Sequence, residues 1–122
     1  MVNQIVHLEI GVTNLPDAVK FYKLVFPDWQ IAKDENMPDY YFATDVGGTD
    51  DLAIGIGLVD EVKNEGSIVF YVNVGDIPQA IQRITSAGGV VLMEKTETGG
   101  GHGYISRFED PFGNVIGIWS ET

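Results

Sequence analysis

The chain has 122 residues, of which 44% are hydrophobic, and its 18 acidic and 7 basic side chains give a net charge of −11. These values predict one compact domain, 1–122, and the acidic balance argues against nucleic acid and an anionic membrane surface as partners. Cysteine is absent, which excludes disulfides, thiolate metal sites and cysteine nucleophiles. Because no apolar run approaches the roughly 20 residues that span a bilayer and no signal-peptide pattern is present, we expect a cytoplasmic protein.

The first half of the sequence predicts a strand, a helix and three further strands. Residues 4–12 alternate between apolar and polar and predict a strand with one face on a core. Asn14 is a predicted helix cap, Pro16 suits the first helical turn, and Pro27 ends the helix. Strands are predicted at 29–33, 40–45 and 52–58, with turns at 34–39 and 47–51.

The second half predicts the same order of elements. A strand at 67–74 leads to Asp76, a predicted cap for a helix that ends near Gly88 and Gly89. Asp110–Asn114 is a strong turn signal. The remaining strands are predicted at 90–94, 104–109 and 115–119.

The two halves also match in sequence at a shift of 62 residues. Val12–Val19 and Val74–Ile81 share the form Val-x-Asn/Asp-Leu/Ile-Pro-x-Ala-Val/Ile, and Ile54–Ile56 matches Ile116–Ile118. We interpret this match as a duplicated module, at about 1–62 and 63–122; two copies are too few for a solenoid. We therefore expect an α+β fold in which two tandem βαβββ modules form a cupped mixed β-sheet, with the helices outside and a ligand site in the cup.

Strand alternation sorts the candidate site residues by face. His7 and Glu9 lie opposite the apolar face of the first strand, and Tyr71 lies on the corresponding face of the second module. A glycine inside a strand either leaves volume open for a ligand or admits the close approach of another group, and the sequence leaves both alternatives open. The last strands place four further residues on this face, namely Gly55, Gly57, Gly117 and Trp119.

Three more residues are candidate ligand contacts. His102 lies in the run Gly99–Gly103, which precedes a strand and therefore lacks the helix N-terminus of a phosphate-binding loop; we interpret the run as a loop over the cup. Tyr104 either lines the cup or packs in the core. Arg107, at the shifted counterpart of Asp45, pairs with a carboxylate of either the protein or a ligand.

Together these features resemble the vicinal oxygen chelate superfamily, which includes glyoxalase I, bleomycin resistance proteins and extradiol dioxygenases. The resemblance covers the whole chain and rests on the duplication, the His7-x-Glu-Ile start, the Ala18-x-x-Phe-Tyr helix and the ending at Phe108–Trp119. The closing Asp-Pro-x-Gly-Asn-x-Ile-Gly pattern is similar to that of small members related to lactoylglutathione lyase. Dimers are common in such proteins, so the resemblance implies a homodimer.

The resemblance also implies one metal ligand on the first and last strand of each module. By alignment these positions fall on His7, Gly55, Val69 and Gly117, and only His7 has a donor atom in its side chain. Because catalytic zinc normally has three protein ligands, we expect no metal and no other cofactor. Metal-dependent glyoxalase I and dioxygenase activities are then disfavoured, and a non-standard metal site of His7, Glu9 and His102 is the alternative.

The leading functional hypothesis is a metal-independent protein that binds a small organic molecule in the cup, by analogy with the bleomycin resistance branch. His7 and Glu9 are its predicted polar anchors. A second hypothesis is a lyase or isomerase that uses His7 or Glu9 as a catalytic residue for proton transfer. A third is an interaction protein whose cleft is closed by its own side chains.

Overall fold

The computed structural model describes residues 3–47, 52–63 and 67–122. The elements of the first half are β1 (Ile5–Val12), α1 (Leu15–Val25), β2 (Gln30–Lys33), β3 (Tyr40–Thr44) and β4 (Ala53–Leu58). Those of the second half are β5 (Ile68–Asn73), α2 (Ile77–Ser86), β6 (Val90–Glu97), β7 (Tyr104–Glu109) and β8 (Val115–Ser120). The predicted α+β class and the repeated β-α-β-β-β order are confirmed. Most of the turn predicted at 47–51 lies outside the described residues.

The chain divides into two compact units, one of Val6–Ile68 and one of Met1–Ile5 with Val69–Thr122. The strand order is β2-β3-β4-β1 in the first unit and β5-β8-β7-β6 in the second. In each unit the first strand runs parallel to the last, and the other pairs are antiparallel. The two units therefore share one topology, while the module boundary predicted at about 62 stays a prediction.

Both helices begin at their predicted caps. Asn14 Oδ1 accepts the N–H of Asp17, and Asp76 Oδ1 accepts the N–H of Gln79, each at 3.0 Å. These bonds satisfy N–H groups that have no partner inside the helix. After α2, Gly88 adopts a φ of +97°, which favours glycine and ends the helix. Neither helix is long and apolar enough to cross a membrane.

The strand register of the first unit separates an apolar face from a polar one. Leu8 pairs with Ile54 and Ile10 with Ile56, and Ile56 is completely buried. The intervening residues of β1 and β4, such as Glu9 and Gly55, pair with each other on the opposite face, because side chains alternate along a strand. That polar face contains His7, Glu9, Tyr40, Phe42, Gly55 and Gly57.

The sequence shift of 62 residues does not hold for every strand. Phe42 pairs with Gly55 in the first unit, whereas Arg107 pairs with Gly117 in the second, which makes the shift for these strands 65. The reason is that the β7–β8 connection, 110–114, is three residues shorter than the β3–β4 connection, 45–52. The prediction that Arg107 is the counterpart of Asp45 is therefore wrong; its counterpart is Phe42.

The predicted turn at Asp110–Asn114 is held by one carboxylate. Asp110 Oδ1 accepts the N–H groups of Phe112 and Asn114 at 2.8 and 2.9 Å, and Oδ2 accepts the side-chain amide of Asn114 at 2.9 Å. The hydrogen bond from the Asn114 side chain is the main reason that the pKa of Asp110 lies below its ordinary value of 3.8. The ionised carboxylate therefore stabilises the turn.

The Asp110→Asn variant should be less stable than the wild type at neutral pH, by a small amount because the group is exposed. Since the pKa of Asp110 is lowered by folding, its contribution is present above 3.8 and is lost as the pH falls through the folded-state pKa. The difference in Tm between the two proteins, measured from pH 7 to pH 2.5, should therefore shrink below about pH 4. A difference that grows on acidification would contradict this role for the carboxylate.

Candidate functional site

Three polar side chains of the first unit form a closed hydrogen-bonded triangle, which we call the Glu9 triangle: His7, Glu9 and Tyr40. The Tyr40 hydroxyl donates to Glu9 Oε2 at 2.5 Å, and His7 Nε2 lies 2.8 Å from the same oxygen. His7 Nε2 also lies 3.1 Å from the Tyr40 hydroxyl. An oxygen that receives two donors is held in one position, so the triangle fixes the Glu9 carboxylate.

The strands explain why these side chains meet. His7 and Glu9 are two positions apart on β1 and therefore share a face. Tyr40 opens β3 and pairs with Gly57 of β4, next to the Glu9–Gly55 pair. Phe42 borders the triangle. The centroid of its ring lies 6.0 Å from that of the His7 ring and 5.0 Å from that of the Tyr40 ring, and both contacts are edge to face.

The carboxylate of Glu9 has one oxygen that the triangle does not use. Oε2 accepts both hydrogen bonds, and no side chain or backbone group of the described residues bonds to Oε1. The side chains of His7 and Glu9 are 21% and 20% exposed. The arrangement thus leaves a fixed, partly accessible carboxylate oxygen that is suited to accept a hydrogen bond or a proton.

The glycines of β4 do not leave open volume. A Cβ placed on Gly55 would collide with the Tyr40 hydroxyl and would lie 2.7 Å from Glu9 Oε2. A Cβ on Gly57 would lie 3.1 Å from Glu9 Oε1 and 3.2 Å from the Tyr40 ring. Of the two alternatives that the sequence left open, the close approach of another group is the one observed: both glycines admit Tyr40.

Gly117 of the second unit also has a tyrosine side chain packed against it, that of Tyr71. A Cβ at this position would collide with the ring of Tyr71, its partner on β5. Tyr71 is only 3% exposed, and its hydroxyl accepts a hydrogen bond from Arg107 Nε at 2.7 Å. At Gly117 too, the close approach of another group is observed, since the Tyr71 ring occupies the space beside it.

The two faces of β5 differ in burial. Val69 and Tyr71 are 1% and 3% exposed, whereas Ile68 and Phe70, on the opposite face, are 67% and 36% exposed. The Tyr71 ring packs on a residue without a side chain, which lets it approach β8 closely.

Trp119 holds the glycine-rich loop in place. Its indole N–H donates to the backbone carbonyl of His102 at 2.7 Å. The loop backbone turns through several positive φ angles, among them +85° at Gly99 and +86° at Gly103, which glycine adopts without strain. The His102 residue is exposed, so the structure shows how the loop is anchored and leaves the predicted ligand contact of His102 a prediction.

Tyr104 does not share a face with Tyr71 and Trp119. It pairs with Ser120, one position out of phase with the Ile105–Trp119 pair. Because successive residues of a strand point to opposite faces, the prediction that Tyr104 lines the site with those aromatic residues is wrong. Its ring instead lies under the ammonium group of Lys95, 4.7 Å from the ring centroid.

The residues present do not fit the metal that the superfamily resemblance implies. The Tyr40 hydroxyl fills the position from which a ligand at residue 55 would project, and the Tyr71 ring does the same at residue 117. Within 3–47, 52–63 and 67–122, no three His, Cys, Asp or Glu side chains are grouped so that they could hold a metal ion. The alternative of a site made by His7, Glu9 and His102 therefore has no support in the described residues.

Tyr40 and Phe42 are site residues that the sequence did not predict. Strand alternation places them on one face of 40–45, which was the available signal. Their pairing partners depend on the register of the β3–β4 hairpin, and an eight-residue connection does not determine that register.

Comparison with known families gives one match. The family model of the Glyoxalase/Bleomycin resistance protein/Dioxygenase superfamily matches residues 4–118. No curated protein sequence matches the chain.

Solved structures share the fold at low sequence identity. A glyoxalase/bleomycin resistance protein/dioxygenase superfamily member from Vibrio splendidus 12B01 is 15% identical with a TM-score of 0.64, over 98% of this chain and 99% of that one. Methylmalonyl-CoA epimerase from Streptomyces coelicolor, in complex with 2-nitronate-propionyl-CoA, is 14% identical with a TM-score of 0.67, over 100% and 99%. Homoprotocatechuate 2,3-dioxygenase from Brevibacterium fuscum, in complex with 3,4-dihydroxyphenylacetate, is 21% identical with a TM-score of 0.70, over 99% of this chain and 37% of that one.

Proposed function

The chain belongs to the Glyoxalase/Bleomycin resistance protein/Dioxygenase superfamily, and from this premise we propose that it binds a small organic molecule at the Glu9 triangle without a metal. The observation that carries the proposal is the state of the Glu9 carboxylate. One oxygen is held by the Tyr40 hydroxyl and His7 Nε2, and the other accepts no hydrogen bond from the described residues. A fixed polar anchor of this kind orients a ligand with little loss of side-chain entropy.

The chemistry of the triangle favours a ligand that donates a hydrogen bond. A carboxylate is an acceptor at both oxygens when ionised, so Glu9 Oε1 is matched by a hydroxyl, amine or amide N–H. The rings of Phe42 and Tyr40 border the anchor and offer apolar contact to the remainder of the molecule. We therefore propose an uncharged or weakly charged organic molecule with a hydroxyl or N–H group as the ligand at this position.

The metal-free state is part of the proposal. Donor atoms are missing at three of the four positions that the resemblance assigns, and tyrosine side chains fill the space beside Gly55 and Gly117. Binding then depends on hydrogen bonds and apolar contact, as in the bleomycin resistance branch named by the resemblance. The more specific similarity to lactoylglutathione lyase stays a prediction.

A second candidate function is a lyase or isomerase that transfers a proton. The observation that favours it is the same unused oxygen, Glu9 Oε1, which is positioned to take a proton from a carbon acid while Oε2 stays held by His7 and Tyr40. Among the similar structures, one is named as an epimerase. In this mechanism Glu9 is the base and His7 and Tyr40 position it.

A third candidate, an interaction protein with a closed cleft, has support from the tyrosines that fill the space beside Gly55 and Gly117. The homodimer stays a prediction, supported by the exposed apolar residues Phe21 and Leu24 of α1, which are 57% and 74% exposed. The cytoplasmic location also stays a prediction.

Thermal shift measurements test the proposed binding. The panel contains neutral alcohols, phenols and amides together with 3,4-dihydroxyphenylacetate and methylmalonyl-CoA, the compounds that occur in the names of two similar structures. A compound at about 100 times its Kd stabilises the folded state by about 2.7 kcal/mol and should raise Tm by several degrees. The Glu9→Gln variant should bind the same compound about tenfold more weakly, because it loses a charged acceptor.

The matched control is Glu94→Gln, which removes an exposed carboxylate of β6 and should leave the shift unchanged. Equal shifts for wild type and Glu9→Gln would show that Glu9 is not the anchor. A panel without any shift would overturn the binding proposal and favour the closed cleft. NMR in D2O separates binding from proton transfer. If the wild type exchanges deuterium into the ligand, and Glu9→Gln binds the ligand equally well but does not exchange it, the protein is a proton-transfer enzyme rather than a binder.

A further inference from the structure

We infer that Arg107 of the second unit is a subsite that binds the carboxylate group of a second small organic molecule. The inference rests on the proposed function only in assuming that small molecules bind; it concerns a different group and a different unit. The observation behind it is an arginine that is fixed by a tyrosine hydroxyl and has no acidic partner within 3–47, 52–63 and 67–122.

Arg107 is held in place by Tyr71. The Nε–H group donates to the Tyr71 hydroxyl at 2.7 Å, and the guanidinium carbon lies 5.5 Å from the centroid of the Tyr71 ring. Tyr71 itself is 3% exposed and packs against Gly117, so its hydroxyl is a rigid support. The guanidinium is therefore oriented before any ligand arrives, which reduces the entropy lost on binding.

The remaining N–H groups of Arg107 bond to no described residue. A guanidinium has five N–H donors, and the bond to Tyr71 uses one of them. No carboxylate of the described residues lies within 4.0 Å of Arg107, and Glu109, two positions along β7 on the same face, forms no ion pair with it. Since no described, buried side-chain nitrogen lacks a hydrogen-bond partner, the unbonded Nη groups reach solvent.

A cation in this state is unusual in so acidic a chain. With 18 acidic side chains against 7 basic ones, an arginine has many opportunities to pair with the protein's own carboxylates. A half-buried arginine that is instead fixed by a phenol and open at its Nη edge presents the fork geometry that binds carboxylates through two parallel hydrogen bonds.

The surroundings of Arg107 favour a carboxylate attached to a flat or apolar group. Its direct neighbours in the register are Gly117 on one side and Met93 on the other. Trp119, two positions from Gly117, lies on the same face and is half-buried. The net charge of −11 repels anions in general, so selective binding of a carboxylate requires a local site of this kind.

Isothermal titration with benzoate and benzamide tests the inference, since the two ligands share a ring and differ in charge. Benzoate should bind the wild-type protein at least tenfold more tightly than benzamide. Arg107→Met should weaken benzoate binding about 10- to 100-fold, the range expected for a lost hydrogen bond to a charged group. Arg107→Lys keeps the charge but loses the forked geometry, and Tyr71→Phe removes the hydroxyl that holds Arg107. The benzoate affinity of each should lie between those of the wild type and Arg107→Met.

The control variant is Arg83→Met, which removes an exposed cation of α2 in the same unit and should leave benzoate binding unchanged. Equal affinities of the wild type for benzoate and benzamide, equal benzoate affinities of wild type and Arg107→Met, or no benzoate binding at about 10 mM ligand would each overturn the subsite. If Arg107→Met does not fold, the benzoate affinities of Arg107→Lys and Tyr71→Phe test the subsite, and wild-type affinity in both variants would overturn it. The proposed function is tested by a different result: it fails if neutral compounds give no thermal shift that Glu9→Gln reduces.

Discussion

The Gly117→Ala variant should lose about 3 kcal/mol of its free energy of unfolding, the upper part of the range for adding a methyl group to a packed site. The new Cβ would collide with the Tyr71 ring, and its distance to Tyr71 Cγ would be 2.8 Å. Tyr71 has no room to retreat, because it is buried and its hydroxyl is bonded to Arg107. Urea unfolding measures the loss as a lower midpoint with an unchanged m-value.

The matched control for this variant is Gly57→Ala. Its Cβ would meet neighbours at 3.1 to 3.2 Å, which a small shift relieves, so the loss should be about 1 kcal/mol or less. Adding Tyr71→Leu to Gly117→Ala should recover part of the loss, and the double-mutant cycle isolates the contact between the two positions. If Gly117→Ala is no more destabilising than Gly57→Ala, the Tyr71 ring does not pack on β8 as described.

The Tyr40→Ala variant should lose both stability and ligand binding. Removing the phenol empties the space beside Gly55 and Gly57 and takes away one of the two donors to Glu9 Oε2. The stability loss should be about 2 to 3 kcal/mol, below the value for a fully buried aromatic residue because Tyr40 is half-buried. The thermal shift given by the panel compounds should disappear, because the Glu9 carboxylate is no longer fixed.

Tyr40→Phe separates the hydroxyl from the ring. It keeps the packing on the glycines, so its stability loss should be about 1 kcal/mol, while ligand binding should still weaken about tenfold through the lost hydrogen bond. Tyr41→Phe, one position along β3 on the opposite face, is the control and should leave ligand binding unchanged. Wild-type binding by Tyr40→Phe would show that the hydroxyl has no part in holding Glu9.

The order of elements was predictable from the sequence because each signal is local. Alternation over 4–12 and the caps at Asn14 and Asp76 depend on neighbouring residues only, and the structure agrees within a residue or two at most element ends. The strand at 90–94 is longer than predicted, since it runs to Glu97 through register irregularities that no local pattern indicates.

The contacts of the site were less predictable because they depend on register between distant strands. The sequence identified His7 and Glu9 as neighbours on one face, but the third member of their triangle comes from β3, 31 residues beyond Glu9. The sequence placed Gly55 and Gly117 on the site face but did not predict which side chains pack against them. A missing side chain does not indicate which ring fills the space beside it. Arg107 was assigned the wrong counterpart because one loop differs in length by three residues.

The packing of Tyr40 against Gly55 has an evolutionary consequence. A single mutation that gives residue 55 a carboxylate collides with the phenol, and a single mutation that shrinks Tyr40 leaves a void and an unsupported Glu9. An acidic side chain at residue 55 therefore requires a second substitution at residue 40 that makes room for it. Changes at positions 40 and 55 should therefore be tolerated together more readily than singly, which is a case of epistasis between two contacting residues.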